Sequence, residues 1–193
     1  RQSDLQALNV EILPRLLARL RPEARRLLDT HRQAGRDTYI VSAAPQEIVE
    51  PLAHSLGMTS GIGTRSRVVD GFYTGELEGP FCYGEGKVEA MVEIANWNGY
   101  DLAQCYAYSD SASDLPMLEA VGHPVAVNPD AKLERHARRH GWPIVIFSEQ
   151  TKSVVRRTIT SIGAVGIAGA SFAAGAAVTS ARVSRRSPRF LRR

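Results

Sequence analysis

Two aspartates four residues apart, Asp110 and Asp114, stand in AYSDSASDLPML (107–118), directly after an apolar run that reads as a strand. A carboxylate pair at such an edge suits Mg²⁺, a hard cation that takes a few carboxylates, phosphate oxygens and waters. The same residues also suit a helix start, with Ser113 or Asp114 as the cap and Pro116 in the first turn. Capping explains Asp114 better than Asp110, and the two roles are compatible.

Two further positions can serve an anion. Ser42 ends the Tyr39–Val41 run, and its hydroxyl together with the N–H groups of Ala43 and Ala44 can hold a phosphate. A Ser capping the next helix ahead of Pro45 is the plainer alternative. Lys87, in YGEGKVEAM, falls in the first turn of a helix, where a cation opposes the macrodipole. Placed against that preference, it suits neutralising a phosphate and a nearby carboxylate; a solvated surface Lys is the alternative.

The elements that must position these residues alternate. Ser3 or Asp4 can cap a first helix bearing Leu5, Leu8, Ile12, Leu16 and Leu20 on one stripe. Pro22 opens and Gly35 closes a second. A strand (37–43), a helix (45–57) kinked at Pro51, and a hairpin around Asp70-Gly71 (67–77) follow. A helix (86–99), a strand (103–109), a helix near Asp114, a strand (124–128), a helix (130–141) and a last strand (143–147) complete the body. Strands separated by single helices predict an α/β fold with a parallel sheet and helices on both faces.

The order strand–Ser, helix–Lys, strand–Asp-x-x-x-Asp resembles motifs two, three and four of the haloacid dehalogenase superfamily. IVSAAPQEIVEPLAHSLG, VVDGFYTGELEGPFCYGEGKVEAM and AYSDSASDLPMLEAVGHPVAVNPD together are similar to its phosphoserine-phosphatase-like branch, over roughly Leu20 to Phe147. The resemblance implies a Rossmann-like fold and a Mg²⁺-dependent hydrolase of small phosphate monoesters. Ser42, with Ala43, would hold the phosphoryl group. Lys87 would stabilise charge, Asp110 would bind Mg²⁺, and Asp114 would support the metal or orient Lys87. Where the family carries glycines around the first of these aspartates, this chain has Ser109 and Ser111, and Ser113 stands where an Asn is frequent.

One departure is larger. The family's first motif is Asp-x-Asp after an N-terminal strand; its first Asp attacks phosphorus and its second is the general acid/base. No Asp-x-Asp occurs in this chain. The resemblance therefore implies a sheet without its central strand, residues 1–20 as the end of a helical cap, and a core over 21–149. Covalent catalysis through an aspartyl-phosphate would lack its nucleophile, so the chain alone is expected to be inactive. The competing expectation is a non-catalytic, membrane-anchored module that binds a partner or an anion.

Charge separates body from tail. From Lys152 to Arg193 there are nine Lys/Arg and no Asp/Glu; removing that +9 from the chain's +4 leaves −5 for residues 1–151. An acidic body argues against nucleic acid as a partner. Within 150–193, Arg157 and Arg182 bracket 24 uncharged residues (158–181) rich in Ala and Gly, long enough to span a bilayer. The choice lies between a disordered linker and a hydrophobic, membrane-associated C-terminal helix; length and absence of charge favour the helix. Cys82 and Cys105 make no disulfide framework, which suits a reducing, cytoplasmic setting. His31, His136 and His140 sit on polar helical patterns and are expected to be solvated or capping, and Tyr73, Phe81 and Trp97 are expected to pack.

Overall fold

The computed structural model describes residues 1–147 and the backbone of 175–180. Helices α1 (Gln2–Ala7), α2 (Asn9–Ala18) and α3 (Pro22–Gln33) lead into β1 (Asp37–Pro45) and α4 (Gln46–Ser55). Then come β2 (Ser60–Thr64), the hairpin β3 (Ser66–Val69) and β4 (Phe72–Leu77), and α5 (Glu85–Asn98). Strand β5 (Tyr106–Ser109), α6 (Leu115–Glu119), β6 (His123–Val127), α7 (Ala131–His140), β7 (Ile144–Val145) and β8 (Gly175–Ser180) follow.

The main sheet runs β2-β1-β8-β5-β6-β7. The pairs β1/β2, β5/β6 and β6/β7 are parallel, as the strand–helix alternation predicts. Neighbouring residues of each strand feed opposite faces. Val41, Ala107 and Ala126 pack beneath α5, α6 and α7 with Met91, Met117, Leu118 and Leu133. Ile40 packs with Val49 and Ala53 of α4, and Tyr108, Val125 and Val127 pack with Leu27 of α3. Both faces are thus covered, and the strands read as short apolar runs.

Strand β8 corrects two expectations. The place between β1 and β5 is occupied: Asp37–Ser42 pairs with Gly175–Ser180, and Tyr106–Tyr108 pairs with Ala177–Thr179, both antiparallel. The sheet therefore does not lack a strand there. The expected C-terminal hydrophobic helix fails over 175–180, which is extended; the rest of segment 158–181 lies outside the described residues. Among the described residues no helix is long and apolar enough to cross a membrane. The physical reason is backbone demand: two buried strand edges leave rows of N–H and C=O groups that need partners.

Local details follow from residue type. At the β3–β4 turn Asp70 and Gly71 take φ values of 50° and 79°, the left-handed pair that a two-residue hairpin loop requires. The first stripe forms two helices, α1 and α2, joined at Leu8, and Ser3 and Asp4 lie inside α1 rather than capping it. Helix α4 continues through Pro51. Proline has no N–H to return to the Glu47 carbonyl, and Asn9 Nδ2 donates to that oxygen at 2.7 Å instead. The N-terminal helices are thereby fastened to the core.

Candidate active site

Lys87 is positioned by a tight approach. Gly86 leaves no room for a side chain, because a Cβ there would run into the Phe81 carbonyl. The loop thus presses directly against the first turn of α5, and Lys87 points inward at 4% exposure. Its Nζ donates to Asp114 Oδ1 at 2.7 Å, an ion pair with both side chains 5% exposed. A buried cation and carboxylate compensate each other's desolvation only in such close geometry.

The segment after β5 brings the carboxylate to that lysine. Ser111 caps a short 3-10 turn (Ala112–Asp114), accepting the Ser113 N–H, and α6 then starts at Leu115. Asp114 occupies the cap position of α6 without capping it; its side chain turns inward to Lys87 and to Ser109, whose Oγ donates to Oδ2 at 2.7 Å. The expectation that Ser113 or Asp114 caps this helix is therefore corrected.

Asp110 lies just beyond the carboxyl end of β5. Burial first, and then the like charges of Asp114 and Asp130, push its carboxyl above the ordinary range; its own backbone N–H and Lys87 pull the other way. Asp130 secures the segment from α7. Its Oδ2 accepts the Ala112 N–H at 2.7 Å, its Oδ1 accepts from Lys132 and Leu133, and its N–H donates to the Asp110 carbonyl at 2.8 Å. Partial burial opposes the shift, but these N–H donors and Lys132 hold the Asp130 carboxyl below its usual value.

Ser42 stands where the β1/β2 ladder becomes irregular, between Val41 and Pro45, and it is paired across β8 with Gly175. Strand β1 runs on to Pro45, and the Ala44 N–H donates to Ser42 Oγ at 3.2 Å, so that N–H is already engaged within the strand's own end. Ser42, Lys87 and Asp114 meet around Cys82. Burial pushes the Cys82 thiol up, Lys87 and the Ser42 backbone N–H pull it down, and Asp114 adds to the rise. The four sequence-predicted side chains, Ser42, Lys87, Asp110 and Asp114, thus converge at the carboxyl edge of the sheet.

Ser109, Cys82 and Asp130 were not anticipated as site residues. Ser109 was visible only as a departure from a glycine. Cys82 carried no sequence signal, and Asp130, at the start of the expected 130–141 helix, caps it as well. Two expectations about aromatic and basic rings also change: His31 is buried at 3% exposure, and Trp97 and Phe81 are 76% and 51% exposed.

A hard cation suits the oxygen donors present. Among the described residues no three His, Cys, Asp or Glu side chains converge as a complete cage. Both oxygens of Asp114 and both of Asp130 are engaged within the protein, and the half-buried Asp110 carboxylate is the remaining candidate donor of the three.

The haloacid dehalogenase-like hydrolase family matches residues 2–119. A probable phosphatase of Mycobacterium tuberculosis is 48% identical over 160 residues, covering 80% of this chain and 55% of that protein. A phosphoserine phosphatase of the same organism is 39% identical over 173 residues, 89% of this chain and 56% of that one. The chain spans about half the length of these relatives. Among solved structures, a Bordetella pertussis protein of unknown function superposes with a TM-score of 0.68 at 33% identity, covering 74% of this chain and 66% of that one. A Salmonella hydrolase of the same family shares the fold, at TM-score 0.53 and 21% identity, over 60% of this chain and 40% of that one. By the family match over residues 2–119 the chain belongs to the haloacid dehalogenase-like hydrolases, with relatives named phosphoserine phosphatase.

Proposed function

We propose that this chain carries the phosphate-stabilising and Mg²⁺-holding part of a phosphomonoester hydrolase. The buried Lys87–Asp114 pair at the carboxyl edge of the sheet, at 2.7 Å, carries the proposal. A cation held this rigidly needs no reorganisation to meet charge developing on a phosphoryl group. Ser42 and Ala43 would contact the phosphoryl oxygens, Lys87 would neutralise them, and Asp110 would hold Mg²⁺. When bound, the metal supplies charge neutralisation between carboxylate and phosphate. Asp114 orients Lys87. The substrate class is a small phosphate monoester.

Turnover needs a nucleophilic carboxylate, and this chain holds no Asp-x-Asp. Strand β8, Gly-Ala-Ala-Val-Thr-Ser, occupies the place between Ser42 and β5 without contributing an acid. The chain alone is accordingly a phosphate-binding unit with no turnover, which favours anion binding as its second, non-catalytic capacity.

Titration calorimetry of the purified chain with inorganic phosphate at saturating Mg²⁺ tests the proposal. Binding that disappears in Lys87→Met and Asp110→Asn, with no hydrolysis of a phosphate-monoester panel, is the expected result. Absence of phosphate binding, or Mg²⁺-dependent turnover by these 193 residues, overturns it.

A further inference from the structure

We infer that Ser109 is a positioning residue that assigns the two aspartates different tasks, locking Asp114 onto Lys87 and leaving the metal to Asp110. The inference rests on the functional reading above and deepens it.

The geometry is a closed clamp. Asp114 Oδ1 accepts from Lys87 Nζ at 2.7 Å, and Oδ2 accepts from Ser109 Oγ at 2.7 Å. Ser109, Asp114 and Lys87 are each 4% exposed. A hydroxyl has a single proton to donate. The Ser111 N–H donates to Ser109 Oγ at 3.1 Å, so the rotor is held from the acceptor side and its proton faces Asp114. Ser109 is the last residue of β5, fixed by pairing opposite Ala126, so the clamp is anchored to the sheet rather than to a loop.

A carboxylate gripped on both oxygens cannot rotate. One oxygen is aimed at the lysine, and the other is spent on the hydroxyl, so neither is presented to a cation outside. Without the Ser109 hydroxyl, Asp114 would turn about its Cβ–Cγ bond. Lys87 would then lose its fixed partner direction, and the ammonium would no longer be pre-placed for phosphate. The metal donor one residue on, Asp110, would keep its backbone tie to Asp130, whose N–H donates to the Asp110 carbonyl at 2.8 Å.

The test measures two ligands separately on the full chain. Titrations with Mg²⁺ alone, and with inorganic phosphate at saturating Mg²⁺, are run on wild type, Ser109→Ala, Ser109→Thr and Asp110→Asn. Ser109→Ala is expected to weaken phosphate by about tenfold while Mg²⁺ affinity stays within about twofold, the loss of one charge-assisted hydrogen bond. Ser109→Thr, which keeps the hydroxyl, restores phosphate binding, and Asp110→Asn loses Mg²⁺. Unchanged phosphate affinity in Ser109→Ala overturns the inference, as does a parallel loss of Mg²⁺.

If wild type binds no phosphate, the functional reading fails and the clamp is judged by unfolding equilibria. Ser109→Ala and Asp114→Ala should then be non-additive, the double variant unfolding no more readily than Asp114→Ala alone within about twofold. Additive effects overturn the clamp on their own.

Discussion

Lys87 Nζ lies 2.7 Å from Asp114 Oδ1, twenty-seven residues apart in the chain and both buried. Removing one partner leaves an uncompensated buried charge. Lys87→Met is expected to destabilise the protein by about 3–5 kcal/mol. The double variant Lys87→Met/Asp114→Leu should recover much of that loss, because no charge remains buried. Urea denaturation of the three proteins measures both; equal stability of wild type and Lys87→Met would refute the pairing.

Asp110 carries the opposite signature. Its carboxyl is raised, chiefly by burial and then by Asp114 and Asp130. A carboxyl raised in the folded state binds its proton more tightly there than when unfolded. The ionised form therefore costs stability above the folded pKa, and the cost vanishes as pH falls through it. Asp110→Asn should raise the melting temperature at neutral pH while abolishing Mg²⁺ binding. In wild type, Mg²⁺ affinity should begin to fall on acidification before an ordinary carboxylate, near pH 4, would protonate. Calorimetry across pH 4–8 reads both effects.

His31 makes acid sensitivity a property of the fold. Its Nε2 is 2.7 Å from Tyr108 Oη, and Arg36 donates to Nδ1 at 3.3 Å, so the hydrogen-bond network assigns the neutral Nε2–H tautomer. Burial, and then Arg36, lower its pKa from 6.5 to about 4. The unfolded chain protonates near 6.5 and the folded chain near 4, so stability is lost as pH falls across that window. The full loss approaches roughly 3 kcal/mol at one RT-scaled step per pH unit. His31→Gln should flatten the stability profile between pH 6.5 and 4; an unaltered slope would contradict the assignment.

Asn9 carries the attachment of the N-terminal helices. Its Nδ2 supplies the hydrogen bond that Pro51 withholds from the Glu47 carbonyl. Asn9→Ala leaves that carbonyl unpaired and is expected to cost about 1–3 kcal/mol. Combining Asn9→Ala with Pro51→Ala restores an N–H to the helix, so the double variant should be more stable than Asn9→Ala. Thermal unfolding of the cycle provides the check.

Strand β8 closes the sheet from the tail. A chain ending before Gly175 would expose one edge of β1 over Asp37–Ser42 and one edge of β5 over Tyr106–Tyr108. Such edges recruit other strands. Truncation at residue 150 should lower the melting temperature and produce concentration-dependent association in sedimentation velocity. A stable, monomeric truncated protein would show that β8 is dispensable.

Much of this protein was readable from residue order. The alternation of apolar runs with helical stripes determined the parallel pairs β1/β2, β5/β6 and β6/β7, because each periodicity can bury its apolar side in only one way. Asp70-Gly71 determined a turn, since few residues tolerate positive φ. The spacing of Ser42, Lys87, Asp110 and Asp114 brought chemistry to one sheet edge, because ligands collect where parallel strands end.

What the sequence could not decide was which partner each polar group chooses. Asp114 had equal local grounds to cap a helix, and only the approach of α5, enforced by contact at Gly86, turned it to Lys87. His31 looked solvated on its own helix until Tyr108 from a distant strand covered it. The Ala/Gly-rich segment 158–181 suggested a helix by its length and absence of charge, yet residues 175–180 became a strand because β1 and β5 offered unpaired backbone. These choices depend on contacts between residues far apart in the chain, and local propensity carries no information about them.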